Sequence, residues 1–242
     1  MIRLTLWWLC GCALLLVPWL LGCNEPARVP TSKPKPQPSE SKKVNVGNNL
    51  WLEVLPDGSR QVILSAEVCL TKGPLELLLT RKNQKEHEAI LAADIDARKV
   101  HEALLLAGAT PGSPVRFAPA FVPASGTRID IDLVYSHKGT THTVPAQHWI
   151  RNIATQQPLE HSWVFAGSML VEDPFDPKGP KRYLANEGDV INVANFESAL
   201  LDLPVESSKA DDSRGYEAWE GRIPPEGTKV SVILKPVLKK QS

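Results

Sequence analysis

The chain has 242 residues, 43% apolar and 22% charged, with 27 basic and 27 acidic side chains and no formal net charge. That composition excludes wholesale disorder and lacks the basic excess of a nucleic-acid binder. The zero charge conceals an asymmetry: residues 24–45 carry a net +3, whereas residues 46–242 hold 21 basic and 25 acidic groups, a net −4.

The first segment in chain order is an export signal. Arg3 supplies a short positive start, and Leu4 to Leu21 is almost wholly apolar although Pro18 interrupts it,. The run ends in Leu20-Leu21-Gly22-Cys23, which resembles the lipobox of bacterial lipoproteins. Residues 1–22 are therefore expected to be removed and Cys23 to be lipidated. Several acyl chains at roughly 0.8 kcal/mol per buried methylene would hold the protein on a membrane, facing the periplasm or cell exterior. Residues 23–45 read as a tether: Pro26, Pro30, Pro34, Pro36 and Pro38 alternate with lysine, serine and threonine. Extended, it would reach at most about 65 Å, at roughly 3.1 Å per residue.

Residues 46–242 read as a single compact domain of the α+β class, mostly antiparallel strands with one clear helix. Leu50–Leu55, the turn residues Pro56-Asp57-Gly58-Ser59 and Arg60–Leu64 predict a hairpin,. A further strand is expected at Leu75–Thr80, then a polar loop and the apolar run Ala89–Ala93. The helix is expected at 97–107, with Asp96 as its cap and Gly108 and Pro111 as its stop,. Later strands are expected at 128–136, 140–144, 162–171, 190–193 and 229–234. In Arg128-Ile129-Asp130-Ile131-Asp132-Leu133 the alternation is strict, which turns one face to water,. Trp149 and Trp163 are expected in the core.

Val68-Cys69-Leu70, Gly73-Pro74-Leu75-Glu76, His87-Glu88-Ala89 and the run Val100 to Ala109 together resemble the YdjY-like domain family. So do Trp149-Ile150-Arg151-Asn152, Trp163 to Ser168 and Gly227-Thr228-Lys229-Val230, and the likeness is to the lipoprotein members common in planctomycetes. The resemblance carries no established activity. Some relatives bear an electron-transfer label, which implies cysteine ligands that this chain lacks. Cys10 and Cys12 leave with the signal and Cys23 is acylated, so Cys69 is left alone as a buried, unreactive thiol,. No cofactor is expected.

The candidate functional cluster is His87, Glu88, His101, Glu102 and Glu76. Both His-Glu pairs belong to the pattern that carries the resemblance. Two imidazoles and a carboxylate could bind a divalent metal if loop and helix converged. His87-Glu88-Ala89-Ile90-Leu91 lacks the second histidine of H-E-x-x-H, so it is no metalloprotease motif,. The blander alternative is a pair of histidines bonded to neighbouring backbone. Glu76, within Leu75-Glu76-Leu77-Leu78-Leu79, either faces solvent or is buried beside a cation such as Arg81 or Lys72,. His137 and His142 flank a turn, and Ser168 lacks the G-x-S-x-G setting of a nucleophile,. The loops 172–180 and 207–215 read as connectors without calcium-loop spacing. The functional expectation is a non-catalytic binding or assembly module of the cell envelope. Its partners would be the membrane through Cys23 and an envelope protein, with no nucleic acid. The alternative is a metal-dependent or acid–base enzyme using His87, Glu88 and His101.

Overall fold

A computed structural model of the chain describes residues 40–238. The expected signal, Cys23 and the tether as far as Ser39 lie outside the described residues. The strands are β1 (Lys42–Gly47), β2 (Leu50–Val54), β3 (Arg60–Val68), β4 (Gly73–Leu75), β5 (Leu77–Arg81), β6 (Ala89–Ala93), β7 (Arg128–His137) and β8 (Thr140–Pro145). There follow β9 (Ile150–Asn152), β10 (Trp163–Phe165), β11 (Leu170–Val171), β12 (Arg182–Tyr183), β13 (Ile191–Asn192), β14 (Leu201–Asp202), β15 (Tyr216–Ala218) and β16 (Lys229–Pro236). One α-helix, α1 (Ala97–Leu106), stands between β6 and β7. Strand β1 takes in Lys42 to Asn45, which the sequence reading assigns to the tether.

The strands close on themselves. Running β3, β16, β7, β10, β14, β13, β5, β6 and back to β3, they form an eight-stranded barrel. Its pairings are antiparallel except β13–β14 and β5–β6. Closure depends on β3 and β7 dividing their length between neighbours. Strand β3 pairs β16 along one edge; on the other it pairs β2 through Arg60–Leu64 and β6 through Glu67 and Val68. Strand β7 likewise pairs β10 at Arg128 and Ile129, then β8 from Asp132 onward. Small sheets β4–β15–β9 and β11–β12 lie off the barrel.

The α+β expectation is overturned: strands take 41% of the described residues and helical turns 11%, so the class is mostly β with a closed barrel. Periodicity identified α1 and most of the long strands correctly. What it could not give is closure, because the pairs that close the ring, such as Lys229 with Glu67, join residues far apart in sequence. The single helix packs over β1, β2 and β3 and does not form a layer of its own. The expected strand 162–171 also stops early. The chain turns at Gly167 (φ 94°) and Ser168 (φ 56°), and β11 then pairs with β12.

Helix α1 begins and ends as its sequence dictates. Asp96 accepts the Arg98 amide at 2.9 Å, which satisfies one of the orphan donors of the first turn,. At the other end Gly108 (φ 92°) takes the left-handed conformation and Ala109 donates to the Leu104 carbonyl at 3.0 Å,. Val100, Ala103 and Leu104 face the core, and the barrel interior is filled by the alternating Ile129, Ile131 and Leu133 of β7 and Val230, Val232 and Leu234 of β16,. Trp149, Trp163 and Phe165 are among the largest fully buried side chains, as expected for the two tryptophans.

One rim of the barrel gathers several ends. Through the register, Lys42 opposes Val54, Val54 opposes Arg60, and Pro236 opposes Ile129. The start of β1, the turn 55–59, the end of β16 and the start of β7 therefore share this rim. Arg60 Nη1 donates to the Leu106 carbonyl at 2.8 Å, which brings the end of α1 there too. The loop 112–126 leaves from the same place. Gly112 donates to the Phe165 carbonyl, and a Cβ on Gly126 would fall 2.1 Å from that oxygen, so the position admits only glycine,.

Candidate functional site

Glu76 sits in the one-residue step between β4 and β5, and its backbone fixes it on both sides. Its amide donates to the Glu88 carbonyl at 3.0 Å, and its carbonyl accepts from Val193 at 2.8 Å and Ala194 at 3.0 Å. Glu88 closes a 3₁₀ turn, Glu86–Glu88, that leads directly into β6. The two carboxyls are thereby held within hydrogen-bonding reach of each other. A cation from a distant loop completes the group: Lys209 Nζ lies 2.7 Å from Glu88 Oε2 and 3.3 Å from Glu76 Oε1.

The three groups divide charge unequally. Burial and the adjacent Glu88 push the Glu76 carboxyl above the usual carboxylate range. Burial works in the same direction on Glu88, but Lys209 and the hydrogen bond from Glu76 outweigh it and hold Glu88 below that range. The bond to Glu88 in turn raises Lys209. When the pair carries one proton it rests mainly on Glu76, leaving an ionised Glu88 beside the ammonium that neutralises it, the expected division when two carboxyls share a site,. The side chain of His87 is 76% exposed, with Nε2 3.7 Å from Glu88 Oε2. It borders the pair without entering it.

The remaining candidates lie in other surroundings. His101 on α1 is half-buried, with Nδ1 2.8 Å from the Tyr183 hydroxyl and its ring edge-on to Phe165 at 4.8 Å. Tyr183 donates its proton to the Gly167 carbonyl at 2.9 Å, so Nδ1 is the donor in the first bond,. Burial lowers the His101 pKa, which keeps the ring neutral at pH 7. Burial likewise raises the Tyr183 hydroxyl above its ordinary value. Glu102 is exposed and pairs with Lys99 at 2.7 Å. Among the described residues no group of three or more His, Cys, Asp and Glu side chains is placed to hold a metal ion.

Other singled-out residues have plain roles. His142 stacks on Tyr135, its cross-strand partner, while His137 opposes Thr140. Ser168 Oγ donates to the Ser198 carbonyl and accepts from the Ala185 amide, as a turn residue would. Cys69 borders a cavity of about 280 Å³ together with Glu67, Lys82, Glu86, Asp94 and Lys229. Its Sγ donates to the Ala89 carbonyl at 3.2 Å, and burial pushes the thiol up to about 12, so it is unreactive at neutral pH,.

Two polar groups of consequence escaped the sequence reading. One is Lys209, whose partners are more than a hundred residues away in sequence. The other is Asp202, which is fully buried in the run Leu200-Leu201-Asp202-Leu203. Its Oδ1 accepts from the Leu203 amide at 2.8 Å and from Asn195 Nδ2 at 3.1 Å, while Oδ2 has no hydrogen-bond partner. Burial raises its pKa to about 7. The signal that singled out Glu76, a carboxylate inside an apolar strand, applied equally to Asp202.

A family model of the YdjY domain matches residues 55–235, and the chain belongs to that family. No curated protein and no solved structure matches it.

Proposed function

We propose that this YdjY-domain protein is a lipid-anchored, non-catalytic binding or assembly module of the cell envelope. The observation that carries the non-catalytic part is the commitment of the acid–base candidates within the fold. Glu88 is neutralised by Lys209, and His101 is neutral and bonded to Tyr183. Neither imidazole shares the Glu76–Glu88 pair in the way a general base and its partner would, since His87 lies outside at 3.7 Å and His101 turns to Tyr183, Phe165 and the Gly167 backbone,. The anchored part is supported by the sequence Leu20-Leu21-Gly22-Cys23 and the proline-rich stretch that follows.

Mass analysis of the N-terminal peptide of protein purified from membranes tests the anchor. An acylated Cys23 at the amino terminus is expected, and Cys23→Ser should abolish it. A native chain that retains residues 1–22 would overturn the anchored reading. Calorimetric titration with Zn²⁺ tests the rest: no binding that depends on His87 is expected. A site lost in both His87→Ala and His101→Ala would restore the enzyme alternative.

A further inference from the structure

The rim that gathers the start of β1 and the end of β16 has a composition unlike the rest of the domain. Six of the ten exposed large apolar side chains among the described residues belong to the end of α1, the loop 112–126 or the two residues after β16. Leu106 is 51% exposed, Phe117 52% and Leu238 51%. The other four lie on β1 and in the β11–β12 hairpin. An open groove of about 930 Å³ runs between Thr110 and Pro111 on one side and Val237 and Leu238 on the other. Lys42, Arg60 and Arg128 are exposed on the same rim, where Arg128 pairs with Asp130 at 3.1 Å and Asp57 lies in the turn 55–59. Lys239 and Lys240 follow Leu238 in the sequence, in a domain whose residues 46–242 carry a net −4. By contrast, the turns at the opposite rim are Asn48-Asn49 and Lys138-Gly139.

Isolated exposed leucines need no explanation, but apolar side chains gathered at one rim, beside an open groove and several basic residues, mark an interaction surface. The occupant is indicated by where the rest of the chain attaches. The first described strand begins on this rim, so the 39 residues that precede the described ones, with their apolar run Leu4 to Leu21 and Cys23, join the domain there. We infer that this rim is a bilayer-docking face, on which Phe117, Leu106 and Leu238 enter the headgroup region of an anionic membrane while Arg60, Arg128 and Lys42 meet lipid phosphates. The inference rests on the anchored reading only for the proximity of a bilayer. Apolar insertion and cationic attraction are separate contributions, and each arginine near an anionic surface is worth about fivefold in affinity.

The test uses the full chain, purified from membranes and reconstituted into phosphatidylcholine vesicles with or without phosphatidylglycerol. An environment-sensitive fluorophore is placed at Val122→Cys in the loop 112–126 or at Thr140→Cys on the opposite rim. Cys69 is replaced by alanine in both labelled chains. Quenching by brominated lipid should be at least about twofold stronger at Val122→Cys than at Thr140→Cys, should require phosphatidylglycerol, and should fall with Arg60→Glu plus Arg128→Glu. Equal quenching at the two rims, or quenching indifferent to phosphatidylglycerol, overturns the inference. Acylation of Cys23, read separately by mass, decides the anchored reading: an unacylated chain whose rim probe still responds to added anionic vesicles refutes the anchor and upholds the rim.

Discussion

Glu76 and Asp202 occupy similar sequence surroundings, Leu-Glu-Leu and Leu-Asp-Leu, yet the fold treats them in opposite ways. Glu76 stands at a step between two strands, where a neighbouring carboxyl and the Lys209 ammonium can both reach it. Asp202 lies in β14, with Val164 of β10 on one side and the parallel strand β13 on the other, and receives amide donors but no cation. The first is a charge-balanced group near the surface. The second is a carboxyl that burial, with a small push from Asp189, drives toward its neutral form. An apolar context therefore predicts that a carboxylate is perturbed, while the cation that can reach it determines the direction.

The largest expected effect tests the Asp202 half of this comparison. Its pKa is raised in the folded state, so the native protein holds a proton that the unfolded chain releases. Stability should accordingly fall as the pH rises from about 4 to about 7,. Asp202→Asn keeps an oxygen for the Leu203 amide and should remove that slope, a gain of up to about 4 kcal/mol at pH 8 relative to wild type. Urea unfolding at pH 4 and pH 8 measures it, and parallel slopes for the two proteins would break the comparison.

Lys209→Ala should come next, costing about 2 kcal/mol at pH 7 because it strands an ionised, largely buried Glu88; full burial of the lysine would make the figure larger,. The loss should shrink at pH 4, where Glu88 can take up a proton. A smaller contrast sharpens the proton assignment. Glu76→Gln replaces the carboxyl that takes up the pair's proton first and, at a pH where the pair holds that proton, should change stability by less than about 0.5 kcal/mol,. Glu88→Gln removes the anion that Lys209 requires and should cost about 1 kcal/mol,. Equal losses would mean that the proton does not favour Glu76.

The smallest effect concerns His101, where the sign reverses. Its pKa is lowered, so stability is lost as the pH falls through its unfolded value of about 6.5, and His101→Gln should flatten the unfolding curve there by a fraction of 1 kcal/mol,.

Local signals in the sequence marked α1 with both its caps, the β2–β3 hairpin and the alternating β7, because caps, turn residues and periodicity are written in adjacent residues. They also marked Glu76 and Glu88, two of the three groups that meet. Lys209 was out of reach. It comes from a polar loop with no pattern of its own, and only the path from β14 to β15 carries it to Glu88. The barrel was hidden for the same reason. Strand β14 is two residues long and no expected strand covers it, and β13, expected at 190–193, carries no local sign that it pairs β14 and β5, yet without them the ring does not close.

The last strand also sets a timetable for assembly. Since β16 stands between β3 and β7, one edge of each stays unpaired until residues 229–236 are available. As synthesis runs from the amino end, the ring stays open until those residues have been made. Pairing over so many intervening residues makes its final closure slow. A protein threaded through a narrow channel during that interval would pass as a pliable strand with no barrel yet to dismantle.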